Sequence, residues 1–224
     1  MAQKLDYKQA YKELYQPKRE PSLVTVPEIL FLAVDGRGDP NQEGGAYQQA
    51  LEALYALTYT IKMSKMGGSA PAGYFEYTVL PLEGLWWLAD DTETDFFSGK
   101  ERYFWTSMIR QPEFVTEDVL FWAKEEAQRK KPGLDVSKAR LLSFAEGLCV
   151  QALHLGPYDA EPETLARMDA YVKENGLDND IGAPLPGGMR RRHHEVYLGD
   201  PRKSSPEKLK TVLRHPVKRC GEQL

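Results

Sequence analysis

His193-His194-Glu195-Val196-Tyr197-Leu198 is the stretch on which the reading of this chain turns. In an extended strand successive side chains point to opposite faces. His193, Glu195 and Tyr197 therefore share one face, and His194, Val196 and Leu198 the other. A carboxylate in mid-strand is costly to bury without a partner. Either this face meets water or it lines a pocket built for a ligand. Upstream, His154-Leu-Gly-Pro-Tyr158 reads as a strand running into a sharp turn, because Pro157 fixes φ and Gly156 tolerates unusual backbone angles.

Working outward, the same order of elements occurs on both sides of the chain's centre. In the first half, Glu28 to Val34 reads as a buried strand ending at the turn cluster Asp35-Gly-Arg-Gly-Asp-Pro40. A helix follows from Ala46 to Ser64, with Leu51, Leu54, Tyr55, Thr58 and Ile61 on one face and Gly67-Gly68 beyond its end. Strands are expected at Tyr74–Leu80, Gly84–Ala89 and Arg102–Arg110, then a helix from Glu117 to Lys130 with Thr116 as its N-cap. In the second half, strands are expected at Leu141–Phe144 and Leu148–His154, then a helix from Pro162 to Asn175 flanked by Pro162 and Gly176 in the expected asymmetry. A Gly/Pro-rich loop covers Leu177–Met189, and strands resume at His193–Leu198 and from Leu209.

Each half thus reads strand, helix, strand, strand. The expected class is α+β: a duplicated β-α-β-β unit, with an antiparallel sheet, helices on one face and a central ligand cleft. Residues 1–22 are expected to form an arm, and residues 23–220 one domain of two pseudo-repeats, 23–115 and 138–220. The repeat is an inference from order and spacing, since residue-level similarity is faint.

A net charge of −4 argues against a general nucleic-acid binder, which shows a basic face or stripe. There is no run of about 18 apolar residues, so no membrane span is expected. The polar N-terminus lacks the apolar core of a signal peptide. Cys149 and Cys220 have no metal-ligand spacing and form no disulfide framework. A cytoplasmic monomer is the expectation, with Cys149 buried and Cys220 in a frayed tail.

Several blocks resemble the GyrI-like small-molecule-binding domain family. They are His154-Leu-Gly-Pro-Tyr158, the helix end Glu174-Asn175-Gly176, Glu195-Val-Tyr-Leu-Gly-Asp-Pro201 and the tail Lys208-Leu-Lys-Thr-Val-Leu-Arg-His-Pro216-Val217. Pro81-Leu-Glu-Gly84-Leu-Trp-Trp87 and Trp105-Thr-Ser-Met-Ile-Arg-Gln-Pro112 look like its stand-alone branch, most similar to cyclopropanoid cyclopropyl hydrolases. The resemblance covers about residues 20–220. It implies an SHS2-like duplicated unit and an aromatic pocket with a central acid. It also implies hydrolytic opening of the cyclopropane ring of DNA-alkylating natural products, as a detoxification. No metal or organic cofactor is implied, because ring strain and conjugation already make the carbon electrophilic. The alternatives are a multidrug-binding or sequestering module without chemistry and a gyrase-inhibitor-like role. Only about 26 residues precede the first strand, too few for a helix-turn-helix reader, so direct transcription control is not expected.

On this reading Glu195, with His193, orients or deprotonates water, and Tyr158 or Tyr197 polarises the ligand's carbonyl. Tyr74, Trp86, Trp87 and Trp105 are candidates to stack on a flat ligand. Trp86 and Trp87 are adjacent on a strand, so one must point away from the other. Glu76 is the candidate second carboxylate. His154 is a candidate contact, although a histidine on an apolar strand is more often structural. Glu83 reads as a turn or supporting residue, and Arg190-Arg191-Arg192 as a solvated strand entry. The expected ligand is a hydrophobic aromatic or cationic small molecule.

Overall fold

A computed structural model describes residues 4–88, 99–200 and 203–221. Its strands are β1 (Ser22–Arg37), β2 (Leu82–Leu88), β3 (Tyr103–Arg110), β4 (Arg140–Leu155), β5 (Leu177–Asn179), β6 (His193–Tyr197) and β7 (Lys210–Arg219). Its helices are α1 (Tyr7–Ala10), α2 (Lys12–Tyr15), α3 (Ala46–Lys62), α4 (Glu117–Lys130) and α5 (Glu161–Glu174). All strand pairs are antiparallel. The order β4-β1-β3-β2-β6-β7 is closed by pairing of β7 with β4, so the sheet curls into a six-stranded barrel, and β5 is added to β7. The expected antiparallel sheet with helices on one face is present, and that face is the outside of the barrel.

α3 and α5 form where their apolar stripes meet this outer face, and α4 packs on α3. α3 buries Leu54, Leu57 and Ile61 completely, about 1.5–3 kcal/mol for each such side chain. α5 packs Met168 and Val172 on Val150, Ala152 and Leu213. Thr116 caps α4 by accepting a hydrogen bond from the Val119 amide at 3.4 Å.

The inner face is polar as well as apolar. Ile29, Phe31 and Phe144 share it with Glu83, Glu146, His194 and Arg214, and Leu14 and Tyr15 of α2 close it. The space left among them is about 10 Å³, no more than one water would fill. That space is too small for an organic ligand.

Three expectations need correction. The stretch Tyr74–Leu80 is not a strand; it makes one isolated bridge, Tyr77 to Leu5, and Tyr77 turns into an aromatic cluster with Tyr74, Phe75 and Phe114. The two strands expected between 141 and 154 are one, β4, because Gly147 adopts φ 76° and lets the chain bend without leaving the sheet. The expected loop Leu177–Met189 begins with β5, which pairs with the end of β7. The N-terminal stretch carries the short helices α1 and α2, whose Tyr7, Leu14 and Tyr15 belong to the core.

Candidate functional site

α3 packs on β1 and β3 and α5 on β4 and β5, yet the first turn of α3 reaches Trp86 of β2 and that of α5 reaches His193 and Glu195 of β6. Glu195 pairs across the strands with Gly84, and His193 with Trp86. This register puts His193, Glu195, Tyr197 and Trp86 on the helix-covered face. From above, α3 contributes Tyr47, and the start of α5 contributes Tyr158 and Glu161. Tyr47 packs on Trp86 at 5.4 Å and edge-on against Trp105 at 5.1 Å. Tyr158 meets Tyr197 edge to face at 5.9 Å. A Cβ on Gly84 would lie 2.7 Å from Trp86 Nε1 and 3.2 Å from the Tyr197 hydroxyl, so only glycine fits beneath them.

Polar contacts then order the cluster. Trp86 Nε1 donates to the Tyr197 hydroxyl at 2.9 Å. His193 Nε2 is 2.9 Å from Glu195 Oε1, and His193 Nδ1 is 2.7 Å from His215 Nε2. A carboxylate only accepts, so the Nε2 proton of His193 is assigned to the Glu195 bond, and the Nε2 proton of His215 to His193 Nδ1. Burial, then the neighbouring His193, lowers the pKa of His215 to about 3, so it is neutral. Burial and then Glu195 raise the Tyr158 hydroxyl to about 12 and the Tyr197 hydroxyl well above its usual value. Burial and Glu195 likewise raise Tyr47. These three phenols are therefore hydrogen-bond donors at neutral pH.

Glu161 is 3% exposed and one of its oxygens has no partner. Burial first, and Glu195 second, push its pKa up to about 10. It is a carboxylic acid beside the Glu195 carboxyl. Ligand atoms of Glu161, His193 and Glu195 lie within 4.8 Å of one another, a set that could also hold a cation. The arrangement can orient and deprotonate a water at Glu195, donate protons from phenols, and stack a flat ring on indole.

The other sequence candidates lie elsewhere. Trp87 is on the opposite side of the sheet from Trp86, stacked on Phe104 at 6.0 Å. Tyr74 and Glu76 gather round Lys62; Tyr74 donates to the Lys62 carbonyl at 2.8 Å and Glu76 is ion-paired with Lys62 at 2.5 Å. His154 bonds Thr164 at 2.9 Å and the Pro157 carbonyl at 3.1 Å, tying β4 to α5. Arg191 is not solvated; it is buried against Asp180 at 2.6 Å and donates to the Glu146 and Leu148 carbonyls. Tyr47, Glu161 and His215 are the residues that sequence reasoning missed. No spacing links them to Glu195. The one local signal is Pro162, which marks Glu161 as the start of a helix.

Behind the site, inside the barrel, His194 bridges Glu146 at 2.9 Å and Glu83 at 3.0 Å. Arg214 reaches Glu146 and Gln151, and Tyr15 donates to Glu83 at 3.2 Å. Burial would lower the pKa of His194, but the charge and hydrogen bond of Glu146, with that of Glu83, raise it. Burial would raise Glu146, but His194 and then Arg214 and Arg191 bring it down. This charged core fixes the orientation of β6 and so of Glu195.

The model of the GyrI-like small molecule binding domain matches residues 19–218. The chain belongs to this family. Two solved structures from Listeria innocua are similar to this GyrI-like protein over 96% of its length and 100% of theirs. One, described as a hydrolase, is 48% identical with a TM-score of 0.84. The other, described as an uncharacterized conserved protein, is 49% identical with a TM-score of 0.87. The EcmrR C-terminal domain, 13% identical over 89% of this chain and 98% of its own with a TM-score of 0.50, shares the fold. No curated protein matches the chain.

Proposed function

We propose that this GyrI-like protein is a hydrolase that opens the cyclopropane ring of cyclopropanoid genotoxins and so detoxifies them. The observation that carries this reading is the buried Glu195, bonded to His193 and faced by three phenols and a protonated acid. The Listeria innocua relative described as a hydrolase supports hydrolysis but names no substrate. The flat substrate stacks on Trp86 and Tyr47. Glu195 takes a proton from water as the water oxygen attacks the ring CH2. The strained C–C bond breaks, and its electron pair moves through the conjugated system to the carbonyl oxygen. Tyr158 or Tyr197 donates a hydrogen bond to that oxygen as charge develops, and the proton taken by Glu195 is returned through solvent. The product is substrate plus one water. His193, braced by the neutral His215, orients the Glu195 carboxylate.

The test is mass spectrometry of a duocarmycin-type cyclopropanoid incubated with the wild type and with Glu195→Gln. Addition of one water by the wild type, and its loss in a variant that still binds, is the expected result. Turnover by Glu195→Gln at the wild-type rate would refute the assignment.

A second reading is sequestration of cationic aromatic drugs without chemistry. Two buried carboxyl groups within ligand distance of each other favour it, because a bound cation offsets their repulsion. Saturable binding with unchanged compound in both samples would establish it instead.

A further inference from the structure

Beyond its pairing with β4, which ends at Ala33 with Arg140, β1 runs on beside a cleft of about 820 Å³. This is the size of a small-molecule site. Glu195, Glu161, His193 and Trp86 do not line it, although Trp105, on which Tyr47 packs, does. Its aromatic wall is Trp87 stacked on Phe104, 22° from parallel, on the side of the sheet away from Trp86. The Arg192 guanidinium sits over the Trp87 ring at 4.8 Å.

The charge around this cleft is opposite to that of the protein. Arg37, Lys138, Arg140, Arg190 and Arg192 line it, against Asp35 and Asp135. Among the described residues that is an excess of three positive charges, on a chain whose net charge is −4. Some of this charge is fixed in place. Asp35 accepts from Thr106 at 2.7 Å and holds Arg140 at 2.8 Å. Arg190 donates to the Gly182 carbonyl at 2.7 Å. A cation is repelled here, whereas a flat ring bearing an anionic group gains stacking on Trp87 and Phe104 together with ion pairing.

We infer that this cleft is a second ligand site, for planar aromatic anions. It is opposite in sign to the acidic Glu195 site and adjoins it through Trp105. The chemistry is shared by aromatic carboxylates or sulfonates and by nucleotides.

Calorimetric titration with naphthalene-2-sulfonate, adenosine 5′-monophosphate and the (2-naphthyl)trimethylammonium cation tests this. Saturable binding of the sulfonate or the nucleotide is expected, with the cation at least about tenfold weaker, or about 1.4 kcal/mol. Whichever anion binds more tightly identifies the source. Arg37 and Lys138 are exposed, so a double Arg37→Glu, Lys138→Glu variant keeps the fold. It should weaken the anion at least about tenfold, while Glu195→Gln leaves it within about twofold. Trp87→Phe should reduce the change in tryptophan fluorescence that binding produces, leaving the part due to Trp105. Equal affinity for anion and cation, no saturable binding of either anion, or loss of binding in Glu195→Gln but not in the double variant would overturn the inference.

Discussion

Replacing Glu161 by glutamine should make the protein more stable at neutral pH, although it removes a residue from the candidate site. The native pKa of Glu161 is about 10, against an ordinary value of 4.5. Between those values the unfolded chain releases the proton while the folded chain keeps it. The unfolded state then binds fewer protons, so stability falls as pH rises. Each unit contributes about 1.4 kcal/mol, so roughly 4 kcal/mol has been lost by about pH 7.5. Glutamine has the shape of the protonated acid and does not titrate, and its amide can still donate toward Glu195. Wild type and Glu161→Gln should therefore be nearly equal near about pH 4, and the variant the more stable by up to about 4 kcal/mol near about pH 7.5. Denaturant midpoints across this range, at constant slope, measure the difference. Curves that stay parallel from acid to neutral pH would show that Glu161 is ionised in the native protein, and the acid–carboxylate pair would have to be abandoned.

Gly84→Ala drives a Cβ into the Trp86 indole nitrogen, at 2.7 Å from its present position. It should cost about 1–3 kcal/mol of stability and weaken binding of an aromatic ligand at the Glu195 site; a variant with the wild-type melting temperature and affinity would contradict the close packing. Arg214→Met leaves Glu146 with His194 but without the guanidinium, and should cost about 3–5 kcal/mol in a chemical denaturation series. The wild type should lose stability in acid, as pH falls through the lowered pKa of Glu146. It should lose stability again in alkali, as pH rises through the raised pKa of His194. An Arg214→Met profile of the same depth as the wild type at both ends would show that the inner network is not what titrates.

Local chemistry made much of this molecule legible from residues alone. α4 begins at the Thr116 cap, and α5 lies between Pro162 and Gly176, because caps and φ preferences act within a few residues. Alternation in β6 put His193, Glu195 and Tyr197 on one face, because strand periodicity is local. The misreadings came where pairing decides. The β-like composition of Tyr74–Leu80 found no neighbouring strand beyond one bridge to Leu5, so its aromatic rings packed as a cluster. The gap between the strands expected at Leu141–Phe144 and Leu148–His154 became a bend at Gly147 within one strand, because β1 pairs with β4 before and after it.

Strand alternation alone places a carboxylate on one face with histidine and tyrosine and sets two adjacent tryptophans on opposite faces. Only the tertiary structure decided which tryptophan joins Glu195, because that follows from the register of Trp86 with His193 across two strands far apart in the chain. Tertiary structure also brought Tyr47, Glu161 and His215 to the same place, from two helix starts and the last strand. Closing the sheet filled the space beside α2 with Glu83, Glu146, His194 and Arg214. Contacts of this kind depend on the sum of many weak, non-local packing terms, which no single segment encodes.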